Sequence, residues 1–249
     1  MSKEKRLKRI KLPNELIPLT NADKKWHEKW YEKRNPLNIP HPSRIALVGS
    51  PGMGKTNTVK NILMRAYPPF EQLFVIHCCP DGTSEYDDVG GVFMRDFPEP
   101  DSWDGNTKKT LIVIDDVELK SLTKVQMKNL DRLFGYSSTH SNISVMLCSQ
   151  DFYQIPSIVR RCSNLFILWR ARDLESLTSI GKKSGLQSKE INAIFEQLMT
   201  GERDSLWIDL TPGSPYPLRR NGFQLITKVE ESDFTKKLLG NLDKFAIDD

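Results

Sequence analysis

One stretch, IALVGSPGMGKT at residues 45–56, narrows the folds open to this chain more than any other. Ile45 to Val48 form an apolar run that gives way to a turn containing Gly49, Gly52 and Gly54 and then to Lys55-Thr56. Gly49, Gly54, Lys55 and Thr56 have the spacing G-x-x-x-x-G-K-[ST], the pattern of a loop that cradles phosphate groups between a strand and a helix. The flanks agree, since RIALV reads as a buried strand and TNTVKNILMRA as a helix. Glycines let backbone N–H groups turn inward around an anion, and the helix N-terminus adds its dipole.

This predicts a nucleoside triphosphate site, with ATP and Mg²⁺ as cofactors. The nucleotide-binding set is Gly49, Ser50, Pro51, Gly52, Met53, Gly54, Lys55, Thr56 and Asn57. Lys55 is expected to reach the β- and γ-phosphates and Thr56 to ligate the metal. A second motif completes the site. In TLIVIDDVE, Leu111 to Ile114 run into Asp115-Asp116, so a buried strand ends in two acids. Asp115 is the expected second metal ligand, and Asp116 the carboxylate that orients or deprotonates the attacking water. Glu118 is a weaker substitute. The next strand ends VMLCSQ; in the division of phosphate-loop NTPases that carries an acid after the metal-binding Asp, a polar residue at this tip senses the γ-phosphate, so Gln150, or Ser149, is expected to hydrogen-bond the nucleophilic water.

Strands are predicted at 44–48, 73–78, 110–115, 142–148 and 164–169, all continuous apolar runs of the kind buried on both faces. Helices are predicted at 54–66, 122–134, 151–161, 172–183 and 188–200. Such alternation implies an α/β fold with a mainly parallel sheet flanked by helices. SLWIDL and PLRRNGFQLI read as an added C-terminal hairpin, and SDFTKKLLGNLDKF as a terminal helix. The expected organisation is a basic N-terminal extension (1–42), a phosphate-loop ATPase domain (43–226) and a C-terminal helical segment (227–249). Within the extension, KKWHEKWYEK suggests a short helix with Trp26 and Trp30 on one face.

The net charge of +4 is unevenly spread over the 249 residues. Lys3, Lys5, Arg6, Lys8, Arg9 and Lys11 face a single acid, Glu4, in the first twelve residues. Such an arm either touches nucleic-acid phosphates or stays solvated. Residues 81–104 hold eight acids against Arg95, and this stretch is expected to face away from DNA. No apolar run approaches the ~20 residues that span a bilayer, and the basic N-terminus lacks a signal peptide's apolar core. Cys78, Cys79, Cys148 and Cys162 have no metal-ligand spacing; Cys78, Cys148 and Cys162 are expected to be core thiols.

Beyond the two phosphate-site motifs, the chain resembles the FtsK–HerA superfamily of DNA-pumping ATPases. More narrowly, it is similar to the genome-packaging ATPases of double-stranded DNA viruses related to the poxvirus and virophage enzymes. The segments that carry the resemblance are GSPGMGKT, LIVIDDV, SSTHSNISVMLCSQDFYQIPSIVRRCSN and LFILWRARD, within residues 44–185. It implies a phosphate-loop fold of the additional-strand, RecA-like division. It also implies a homo-oligomeric ring (pentamer or hexamer) acting on double-stranded DNA, with viral capsid or portal-vertex proteins as partners. The place of action would be the host cytoplasm at sites of virus assembly, or the virion. Two departures stand out. The acid after the metal-binding Asp is usually Glu in the superfamily, whereas Asp116 stands here. Many members also carry an arginine before the sensor strand that acts on a neighbouring subunit, and this chain reads Ser138-Thr139-His140 there. Arg160 and Arg161 are the first replacements to consider, then Arg132, then Arg170 and Arg172.

Other classes fit less well. The chain has no Asn-Lys-x-Asp stretch for a GTPase and no Leu-Ser-Gly-Gly-Gln-like run for an ABC ATPase, and 155–172 is a poor nucleotide-kinase lid. A helicase or helicase loader of the same superfamily, and a nucleotide-gated assembly protein that moves nothing, remain as alternatives.

Overall fold

The five expected strands form the centre of one ten-stranded sheet in the order β10-β9-β8-β7-β6-β1-β5-β4-β2-β3. The computed structural model describes Leu37, residues 39–79, 84–170, 174–212, Ser214, 216–228 and 245–248. The parallel half consists of β1 (Arg44–Val48), β2 (Gln72–His77), β3 (Val92–Met94), β4 (Thr110–Asp115), β5 (Ile143–Ser149) and β6 (Leu165–Trp169). The antiparallel half consists of β7 (Ser205–Asp209), β8 (Leu218–Arg220), β9 (Gln224–Lys228) and β10 (Phe245–Asp248).

The continuous apolar runs are explained by burial on both faces. Every residue of β4, β5 and β6 is buried. Alternate residues feed two cores. Ala46 and Val48 of β1 join Ile112, Ile114, Val145, Leu147, Phe166 and Leu168 on one face. Ile45 and Leu47 join Leu111, Val113, Met146, Ile167 and Leu165 on the other. The first face is covered by α2 (Lys124–Arg132), α3 (Ser157–Cys162), α4 (Leu174–Lys183) and α5 (Ser188–Ala193), through residues such as Leu130, Val159, Leu177 and Ile191. The second is covered by α1 (Lys55–Met64) through Val59 and Ile62, together with Leu37, Ile39 and Trp207.

β5 lies between β1 and β4, pairing in parallel with both. This inserted strand is the mark of the additional-strand division, so the sheet agrees with the expected fold class. Local sequence sets where helices begin. Thr123 caps α2 by accepting from the Gln126 N–H, and the Gln126 side chain accepts from the Thr123 N–H. Three predicted helices are less regular than expected: α2 and α5 each run on into a π-helical turn, at Leu133–Ser137 and Ile194–Leu198, and the stretch expected as one helix over 151–161 splits at extended Ile155-Pro156 into a 3-10 turn, Phe152–Gln154, and α3.

Other differences have local causes. β3 was not anticipated, because its three residues are at most half-buried and sit inside the acidic stretch. Cys78 is exposed rather than in the core, because β2 ends one residue earlier, at His77. Cys148 is buried, and all four cysteines are free. At the C-terminus, β9 extends to Lys228 and Phe245–Asp248 pairs with it as β10, so both ends of the stretch expected to be helical are strand. The core of that predicted helix, like the basic arm, Trp26, Trp30 and Arg172, lies outside the described residues. Among the described residues, no helix is long and apolar enough to cross a membrane.

Candidate active site

Strand ends build the site. Where β1 ends, Gly49 donates its N–H to the Ser149 carbonyl at the end of β5, 3.1 Å away. Space favours glycine here, since a Cβ would lie 3.0 Å from the Trp169 ring and would press on it. Ser50, Pro51, Gly52 and Met53 carry the loop to Gly54, and both Gly52 (φ 76°) and Gly54 (φ 97°) adopt the left-handed region. Lys55 then opens α1, whose own first turn contains no acid. The Lys55 ammonium donates to the Gly49 and Ser50 carbonyls at 2.7 and 3.1 Å, folded across the loop it would share with a polyphosphate. Asn57 is on the exposed face of the first turn of α1.

Thr56 sits one residue further on. Its hydroxyl lies 3.2 Å from Asp115 Oδ2, at the tip of β4. Asp115 is buried, and its other oxygen accepts the Asp116 N–H at 3.1 Å. The pair is an all-oxygen donor set, the chemistry that a hard cation such as Mg²⁺ takes with phosphate oxygens completing its shell. Cys148 lies beside Asp115, and burial first, then that carboxylate, push its thiol up, so it stays neutral.

Asp116 is exposed and held at φ 54°, a left-handed conformation uncommon for a residue with a side chain. Its carboxylate lies 4.0 Å from His77 Nε2 at the end of β2. His77 Nδ1 accepts the Cys79 N–H at 3.0 Å, which leaves Nε2 to carry the ring proton toward Asp116. On β5, Ser149 is committed to its own turn, donating to the Asp151 carbonyl at 2.8 Å, whereas the next residue, Gln150, is exposed at the strand tip. Of the two proposed sensors, Gln150 therefore has its side chain available.

These groups meet in one cavity of about 210 Å³, lined by Lys55, Asp115, Asp116, Glu118, Gln150 and Gln154 among others. A second cavity, of about 290 Å³, lies against the other side of the loop. Met53, Gly54 and Asn57 wall it, with Trp169, Trp207 and Phe223 from the sheet and its antiparallel extension. Sequence reasoning missed this contribution, and it missed His77, Tyr86 and Glu85. Tyr86 donates to Asp115 Oδ2 at 2.6 Å and Glu85 accepts from the Thr56 hydroxyl at 3.2 Å. These contacts come from chain-distant segments, and no local pattern announces them.

The arginines are elsewhere. Arg160 is half-buried with its guanidinium over Phe152 (5.1 Å) and Tyr153 (6.0 Å). Arg161 is exposed, near Asp131. Arg44, at the end of β1 opposite the phosphate loop, donates to the Cys162 carbonyl at 2.6 Å, which places the C-terminal end of α3 at the end of the strands away from the loop. Arg44 also reaches Thr139 at 2.7 Å. Arg132 lies 5.4 Å from the Tyr136 ring, which stacks on His140 at 4.2 Å. Arg170 is tied to the Phe195 carbonyl at 2.7 Å.

This architecture can be compared with solved structures. The DNA-packaging ATPase B204 from Sulfolobus turreted icosahedral virus superposes with a TM-score of 0.51 at 16% identity, over 71% of this chain and 95% of that one. The chain has the fold of a P-loop NTPase. B204 from Sulfolobus turreted icosahedral virus 2, in complex with sulfate, gives a TM-score of 0.49 at 17% identity over 72% of this chain and 96% of that one. The pCW3 conjugation coupling protein TcpA with ATPγS gives 0.45 at 16% identity, over 68% of this chain and 58% of that one. No protein-family model and no curated protein matches the chain.

Proposed function

We propose that the protein is an ATPase that moves double-stranded DNA, as a homo-oligomeric ring that packages a viral genome. One observation carries the hydrolytic part of this reading: Lys55, Asp116 and Gln150, from three neighbouring strand ends, line a single cavity beside the Thr56–Asp115 pair. Mg²⁺, held by Thr56 and Asp115, would supply charge neutralisation between the β- and γ-phosphates. Lys55 would leave the Gly49 and Ser50 carbonyls for the same phosphates. Asp116 would accept a proton from the attacking water, with His77 steadying its carboxylate, while Gln150 holds the water by a hydrogen bond. The cavity walled by Trp169, Trp207 and Phe223 would take the base, because it adjoins Gly54 and Asn57 and offers aromatic surface.

The DNA part rests on the resemblance carried by residues 137–173 and on the shared fold with a structure described as a DNA-packaging ATPase. Arg160 and Arg161, which do not line this cavity, would serve a neighbouring subunit rather than their own. Capsid or portal-vertex proteins would be the docking partners, during assembly in the host cytoplasm. The test is the ATPase rate measured against concentration of linear duplex DNA. Saturable stimulation by duplex is expected. Stimulation by single strands alone would favour a helicase, and turnover indifferent to any DNA would favour a nucleotide-gated assembly protein.

A further inference from the structure

The acidic stretch between β2 and β4 has no part in the chemistry above, yet two of its residues close on the metal-binding pair. Tyr86 is fully buried and donates its phenol hydrogen to Asp115 Oδ2 over 2.6 Å. Glu85 Oε2 accepts from the Thr56 hydroxyl over 3.2 Å, and that hydroxyl lies equally 3.2 Å from Asp115 Oδ2. The geometry points to Tyr86 as a positioning residue for the metal-binding carboxylate, and to Glu85 as a charge that makes nucleotide binding depend on the divalent cation. The inference rests on the ATP–Mg²⁺ reading of this site.

Asp115 Oδ1 is fixed by the Asp116 N–H, so the phenol sets the orientation of the remaining oxygen. Hydrogen-bond partners of metal ligands hold those ligands in their binding geometry, and losing one costs ~10–100-fold in metal affinity or activity. The ring itself packs edge-on against Phe93 at 6.4 Å, a contact that phenylalanine would keep. Glu85 acts through charge. Its carboxylate adjoins the first turn of α1, where a polyphosphate would bind, and like charges at such range repel each other. A divalent cation between them turns that repulsion into attraction.

The experiment uses the full chain and a non-hydrolysable ATP analogue. Mn²⁺ binding is followed by its paramagnetic resonance signal in the presence of the analogue, and analogue binding is measured separately in EDTA. Tyr86→Phe is expected to weaken Mn²⁺ by ~10-fold or more while leaving analogue affinity in EDTA unchanged and the chain folded by circular dichroism. Equal Mn²⁺ affinity in Tyr86→Phe and wild type would overturn the positioning role. Glu85→Gln, at an exposed position, is expected to raise analogue affinity in EDTA, and this variant carries the test if Tyr86→Phe does not fold. An unchanged affinity would refute the charge role. A wild-type protein that binds neither Mn²⁺ nor analogue would contradict the nucleotide reading itself.

Discussion

At the scale of single residues, the roles of Lys55 and Asp116 separate binding from chemistry. Lys55→Ala removes the cation that the loop presents to the phosphates and should abolish both nucleotide binding and turnover. Asp116→Asn keeps the loop and metal pair intact, so it should bind ATP while losing on the order of 10²–10⁴ in rate, the usual contribution of a positioned base. Isothermal titration beside a phosphate-release assay distinguishes the two, and undiminished turnover in Asp116→Asn would move the role to Glu118, which lines the same cavity. The main site residues were legible in the sequence because the phosphate-loop spacing and the strand-ending acids are local patterns. Tyr86, Glu85 and His77 were not, since their significance depends on contacts with Thr56, Asp115 and Asp116 on other segments.

Among the elements, the central strands were legible because burial on both faces leaves an unbroken apolar run, as in β4, β5 and β6. The short edge strand β3 and the terminal β10 gave no such signal, being three and four residues long. The entry to β5 holds a titratable device. His41 is buried, with Nε2 donating to Asn142 Oδ1 at 2.7 Å and Nδ1 accepting from the Ser144 hydroxyl at 2.8 Å. Phe70 packs edge-on against its ring, and the charge of Lys109 adds to the burial that lowers its pKa from 6.5 to about 3. The unfolded chain therefore binds this proton more readily than the folded one. Stability from the neutral ring is fully present above pH 6.5 and falls as pH drops toward about 3. Each pH unit in that window costs about 1.4 kcal/mol. Denaturant melts across pH 4 to 8 should show this slope, and His41→Gln should flatten it.

For the whole molecule, the proposed ring implies that one subunit completes the site of another. A neighbouring arginine on the transferring phosphoryl group is worth roughly 10³–10⁵ in rate. Among the described residues no arginine lines the cavity, and the end of α3 that bears Arg160 and Arg161 meets β1 at its end away from the phosphate loop. A sequence can order such arginines but does not decide between them, because the group they would meet belongs to a different copy. Mixing a Lys55→Ala protein with one in which Arg160 and Arg161 are both alanine should restore part of the ATPase activity, since some interfaces would then pair an intact loop with an intact arginine. Mixed rings without recovery would shift the role to Arg132. The central claim, that hydrolysis here moves the protein along duplex DNA, is tested most directly by ATP-driven displacement of a third strand from a triplex on linear DNA. The account predicts displacement that requires ATP, leaves the underlying duplex unseparated and vanishes in Lys55→Ala. Vigorous duplex-stimulated hydrolysis with the third strand left in place would contradict it.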